Sequence, residues 1–210
     1  MGCGGSKEGA VTPVGSGKID YAALKPDEYT AKVHSAIRWG KPIADIEPFF
    51  AAKAEGINCE DSKNGNRPIH IAAQNGHLDL VKYLCGKGCD CNAQNGSGNT
   101  ALHMAMAYDY FWCARILRAN GALEDKLNND NFTSGTGIEG DKKKGDWLPA
   151  MISAHNTEEL NEAMEGLKAQ DRSTIDKASF IQAAMAKKKS AKDIWSEDHQ
   201  ATFKAICGEL

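Results

Sequence analysis

The sequence predicts an all-α fold: a helix–turn–helix stack with two irregular capping units and C-terminal helices. Three observations lead there. The chain repeats itself at a shift of 33 residues, which carries His70 onto His103, Ala72 onto Ala105, Leu84 onto Leu117 and Gly88 onto Gly121. Inside each copy, apolar residues recur at helical spacing between proline and glycine punctuation. A hydrophobic fraction of 41% and a charged fraction of 25% suit a folded chain of 210 residues.

The clearer copies span about 64–96 and 97–129. Pro68 stands where a helix begins, since its missing N–H costs nothing in the first turn. Ile69, Ala72 and Ala73 share one face, and the small alanines let another helix approach. Gly76 makes a tight turn. Leu80, Val81, Leu84 and Cys85 form the apolar stripe of a second helix that stops at Gly88, a left-handed cap. The polar stretch Asn92–Gly98 suits a projecting finger. Such a unit cannot cover its own apolar face and must stack on a neighbour.

This 33-residue pattern, with "RPIH" and "TALH" at the start of the first helices and "GHLDLVKYLCGKGCDCNAQN" after them, resembles the ankyrin repeat over roughly half the chain. "RPIH" lacks the family's threonine and "TALH" its proline, but both keep the histidine. His70 and His103 are therefore expected to be structural, bonding backbone across the stack. Asp109 replaces the turn glycine of the second clear copy, which leaves its turn geometry open.

Two clear units are too few for a stable stack, so flanking units are expected. Upstream, Val33, Ala36 and Ile37 predict one helix, and Ile46, Phe49, Phe50 and Ala54 predict another that Gly56 ends. Downstream, Thr133 falls on Thr100 before an insertion at 134–146. Leu160, Ala163, Met164 and Leu167 then predict a final amphipathic helix. The repeat domain is placed at 26–168, behind a leader at 1–25 and ahead of a helical segment at 169–210. That segment has N-cap residues at Ser173 and Ser196. Its start looks like an EF-hand loop, but Lys168, Gln170, Arg172 and Ser179 would stand at the calcium-ligand positions, so no calcium binding is expected.

The leader carries an address. Met1-Gly2-Cys3-Gly4-Gly5-Ser6 fits the N-myristoylation pattern, with Gly2 as the acylated residue. One myristoyl chain binds membranes weakly, and Cys3 beside it offers a site for palmitate. No apolar run approaches the roughly 20 residues that cross a bilayer. The expected location is the cytoplasmic face of a membrane, plasma or ciliary/flagellar, with a cytosolic fraction.

Composition excludes several functions. A net charge of −3 supplies no positive field for nucleic acid. Seven irregularly spaced cysteines do not form a secreted disulfide framework. "GSGK" at 15–18 lacks the other residues of a phosphate loop, and no nucleophile elbow or zinc-binding helix occurs. Cys59, Cys85, Cys89 and Cys91 suggest zinc, but Cys85, Cys89 and Cys91 fall at small or apolar positions of the repeat, where cysteine packs as a hydrophobe. No catalytic residue, cofactor or metal is expected.

The resemblance implies a protein partner bound through fingers and the concave face of the first helices. The candidate residues are Gln94, Asn95 and Ser97 in a finger and Tyr108, Tyr110 and Trp112 in "YDYFWC", where the family carries polar residues; the competing reading is that the C-terminal helices cover these aromatics. The expectation is a monomeric, non-catalytic, membrane-anchored adaptor or scaffold. The alternative is a membrane-surface organiser that binds anionic lipid through its acyl groups and the basic run at 187–192.

Overall fold

The computed structural model describes residues 19–142, 147, 150–151 and 154–170. Gly2, Cys3, the basic run at 187–192 and the helices expected beyond 170 lie outside the described residues. Helices α1 (Pro26–Arg38), α2 (Ile43–Ala52), α3 (Pro68–Gln74), α4 (Leu78–Gly86), α5 (Ala101–Ala107), α6 (Phe111–Ala119) and α7 (Thr157–Ala169) follow in order. Two 3-10 turns, Ala54–Asn58 and Ser134–Thr136, lie between them, Ala150 and Met151 are also helical, and the described residues contain no extended strand. Helices α1, α3 and α5 pack side by side, and the row continues into Ser134–Thr136. Helix α4 packs on α6 in a second row.

Helix α1 begins at Pro26, carries Asp27 and Glu28 in its first turn and ends with Arg38, an order that complements its dipole. Tyr29, Val33 and Ile37 recur every four residues and face inward. Arg67 precedes Pro68 and is held extended at φ −107°, ψ 166°, so α3 starts abruptly. Thr100 does the same for α5: its Oγ1 accepts the His103 N–H at 3.4 Å. Ile69 and Leu102, and Leu84 and Leu117, are fully buried pairs at equivalent positions of neighbouring units.

Histidine ties the units together. His70 Nδ1 accepts the Arg67 N–H at 3.0 Å, so its Nε2–H donates forward to Ala93 O at 3.0 Å and Asn99 O at 3.1 Å. His103 takes the Thr100 N–H at 3.0 Å and reaches Phe132 O at 3.1 Å. His34, which the sequence did not single out, makes the same forward bond to Cys59 O at 3.1 Å. Each buried ring thus satisfies a carbonyl of the next finger.

The turns also stack. Gly40, at φ +59°, lies under the His77 ring, and Gly76, at φ +68°, under the Tyr110 ring. Asp109 keeps the left-handed turn at φ +58° without a glycine, and its carboxylate pairs with Lys142 Nζ at 3.0 Å.

Two expectations change. Helix α2 stops at Ala52, before Ala54, because Lys53 turns extended at φ −142° and its Nζ reaches back to Leu24 O at 2.9 Å. Gly56 does not end that helix. It sits inside the 3-10 turn, where a Cβ would lie 2.0 Å from the Tyr29 hydroxyl, so it makes room for that side chain. In the last unit the 3-10 turn Ser134–Thr136 replaces a first helix. Thr136 stands where His103 stands, and its hydroxyl bonds back to Thr133 O at 2.9 Å. Helix α7, capped by Asn156 and burying Leu160, Ala163, Met164 and Leu167, closes the stack.

Candidate partner-binding surface

The fingers are built by asparagine and aspartate. Asp61, Asn95 and Asn128 each accept N–H groups from the following residues through a side-chain oxygen, which closes a polar turn. Asn95 Nδ2 then donates to Asn66 Oδ1 at 2.9 Å, and one unit later Asn128 Nδ2 donates to Asn99 Oδ1 at 2.9 Å. Main chains join as well, through Gly96 N–H to Asn64 O at 2.8 Å and Asn129 N–H to Ser97 O at 3.1 Å. Gln94 Nε2 donates to Gly98 O at 2.7 Å and to Leu127 O at 2.8 Å. The amides of Gln94 and Asn95 are therefore engaged between and within fingers. Of the three predicted finger residues, Ser97 alone makes no side-chain hydrogen bond among the described residues, and it is exposed.

The aromatic candidates divide. Tyr108 is half-exposed at 49%. Tyr110 lies half-buried on Gly76, its ring centroid 6.3 Å from that of Tyr108. Trp112 is buried at 5%, and its indole N–H donates to Ala150 O at 3.1 Å. A side chain so placed offers no surface, which removes Trp112 from the partner-binding set. Its partner Ala150 comes from the far side of the insertion, as does Trp147, which packs on the neighbouring Phe111 at 5.1 Å between centroids, over Gly166 of α7.

An exposed tryptophan lies elsewhere. Trp39 caps the C-terminus of α1 and is 75% exposed. It occupies the position that Asn75 holds after α3 and Tyr108 after α5, and all three have nearly the same backbone angles. Equal backbone angles in successive stacked units aim the Cα–Cβ bonds alike, so Trp39, Asn75 and Tyr108 occupy a row of equivalent positions, in which the Asn75 amide folds back to Ile71 O at 2.8 Å. The signal was present in the sequence: Trp39 precedes the turn residue Gly40 as Tyr108 precedes Asp109.

Near this row lies a groove of about 410 Å³, lined by Gly40 to Ile43, His77 to Leu80, Lys82 and the start of α7 at His155, Asn156 and Glu159. Glu159 is drawn partly inward, accepting the His155 N–H at 2.8 Å and Nδ1 at 3.1 Å. Lys41, Lys82, Asp79 and Glu159 give the groove both signs of charge. Such a lining suits side chains of another protein. Among the described residues the one close Cys–His pair, Cys59 Sγ to His34 Nε2 at 3.7 Å, is not activated. Burial pushes the Cys59 thiol up to about 11 and holds His34 below the ordinary imidazole range.

Residues 33–130 match the family described as ankyrin repeats (3 copies). The chain is 40% identical over 104 residues to the human SH3 and multiple ankyrin repeat domains protein 2, a match covering 50% of this chain and 6% of that protein. It is 34% identical over 91 residues to the probable 26S proteasome regulatory subunit p28 of Saccharomyces cerevisiae, covering 40% of each. It is 30% identical over 118 residues to the neurogenic locus Notch protein of Drosophila melanogaster, covering 50% of this chain and 4% of that one. The chain spans less than half the length of each of these relatives.

Proposed function

Because residues 33–130 are ankyrin repeats, we propose that this chain is a non-catalytic adaptor that binds a protein partner on the turn side of the stack. In this reading Gly2 and Cys3 are acylated and hold it at the cytoplasmic face of a membrane. The observation that carries the partner reading is the row of Trp39 and Tyr108, 75% and 49% exposed, beside the mixed-charge groove. Exposed aromatic rings on a rigid scaffold are the anchors that protein interfaces use most, because they bury large area at small entropic cost. The finger amides are engaged by their neighbours, so the turn row supplies the contact energy and Ser97 lies at the rim. The Met-Gly-Cys-Gly-Gly-Ser start supports the anchor.

The test uses the full-length chain in cells. Trp39→Ala with Tyr108→Ala should abolish specific co-purifying proteins while the chain still sediments with membranes. Gly2→Ala should release it to the soluble fraction with its partners retained, and Cys3→Ser should leave weak, reversible attachment. Unchanged protein capture by the aromatic variant would overturn the partner reading. Vesicle binding that requires Lys187, Lys188 and Lys189 would put anionic lipid in the partner's place.

A further inference from the structure

Three thiols meet at the end of α4. The sulfur atoms of Cys85, Cys89 and Cys91 all lie within 4.8 Å of one another, with Cys91 Sγ 3.6 Å from Cys85 Sγ and 3.9 Å from Cys89 Sγ. The backbone explains the meeting. Helix α4 ends at Gly86, Gly88 takes φ +79°, and the Cys89 N–H returns to Leu84 O at 3.2 Å. The chain therefore folds back across the last helical turn, where Cys85 sits. Cys89 and Cys91, two residues apart, lie on its inner side, while Asp90 between them faces out and pairs with Arg67 at 3.5 Å.

The next unit is an internal control. The residues 33 positions on are Arg118, Ala122 and Glu124, and Arg118 and Glu124 form an ion pair. The repeat thus brings these positions into contact whatever side chains they carry. In one unit the contact is an ion pair, and in the other it is sulfur.

We propose that Cys85, Cys89 and Cys91 form a three-thiolate binding site for a thiophilic d10 cation, Zn²⁺ or Cu⁺. Metal–sulfur bonds of about 2.3 Å separate the sulfurs around one ion by about 3.8–4.0 Å. The observed spacings bracket that range, so closure needs only small side-chain shifts. Thiolates prefer these cations to Mg²⁺ or Ca²⁺. The Cys85–Cys91 and Cys89–Cys91 contacts hold the three sulfurs together before any cation arrives. Binding releases the thiol protons to solvent, forms three metal–sulfur bonds and changes no oxidation state. The cation's charge offsets the cost of burying thiolates. Half-buried Cys85 is the side open to entry.

The full-length protein, kept reduced with a phosphine, is titrated with Co²⁺ as a probe for the Zn²⁺ arm. Cu⁺ is titrated against a chromophoric chelator. A sulfur-to-metal charge-transfer band at about one equivalent, with a thermal midpoint that rises with added cation, is the expected result in at least one arm. The comparison variant carries the next unit's residues, Cys85→Arg, Cys89→Ala and Cys91→Glu, a set this backbone already accommodates. It should keep the wild-type circular dichroism and lose both signals. Cys89→Ala alone should weaken binding by at least about tenfold, which keeps the test decisive if the triple variant folds poorly. Cys113→Ala, at a buried free cysteine outside the cluster, should bind as the wild type does. Equal binding by wild-type and triple variant, or no binding of either cation by the wild type, overturns the proposal.

Discussion

Gly76→Ala measures how far the stack depends on one turn pressing on the next. Two costs add. Gly76 has φ +68°, a left-handed conformation that costs an L-residue about 1–2 kcal/mol. A Cβ there would also lie 2.5 Å from Cε1 and 2.6 Å from Cδ1 of Tyr110, where carbon atoms settle at about 3.5–4.0 Å. The ring must move by about an ångström, yet it belongs to Tyr110, the cap residue just before α6. Forced overpacking of this kind costs about 1–3 kcal/mol, for a total of roughly 2–5 kcal/mol. Gly121→Ala is the control: Gly121 has φ +87°, but nothing lies within 4 Å of a built Cβ, so the first cost of about 1–2 kcal/mol applies alone. Urea unfolding of both variants, followed by circular dichroism, gives the difference. Adding Tyr110→Ala to Gly76→Ala removes the clash, so the double variant should lose less than the two single losses together. Equal losses in Gly76→Ala and Gly121→Ala, within about 0.5 kcal/mol, would refute the idea that the ring contact locks the turns.

Stability should also depend on pH through the histidines. Burial holds His34, His70 and His103 below the ordinary imidazole range, while the unfolded chain protonates near about pH 6.5. Their contribution is complete above that value and is lost as pH falls through the folded values, by up to about 1.4 kcal/mol per pH unit for each ring that stays neutral. Urea midpoints measured between about pH 7.5 and 5.5 should fall, with a shallower fall in His70→Gln, and a flat profile would contradict the neutral forward-donating rings. Asn128→Ala removes a buried amide that bonds Asn99 and Ile138 O, both at 2.9 Å, and should cost about 1–3 kcal/mol by thermal unfolding. A loss under about 0.5 kcal/mol would show that the finger ladder adds little.

The repeat and its helices were legible because their causes are local. Pro68 and Thr100 start helices, Gly76 and Gly88 turn them, and the 33-residue shift repeats the same short-range chemistry. The histidine role was also legible, since "RPIH" and "TALH" place each ring one turn from the backbone N–H that sets its tautomer. Which of the two readings of Trp112 holds, anchor or covered ring, was not, because its partner Ala150 lies 38 residues away beyond an insertion that no spacing rule describes. Gly56 was misjudged for the same reason: the Tyr29 hydroxyl that needs its space arrives from another helix. The finger amides looked free because a sequence does not say which carbonyl or amide of the next unit lies 2.8 or 2.9 Å away. The sequence by itself determined the all-α repeat, its turns and the histidines that link units, since those follow from contacts within a few residues and from exact repetition. Tertiary structure alone decided which aromatic rings face solvent and which finger groups are engaged. Burial is a property of what arrives from elsewhere in the chain, and packing, not propensity, sets it.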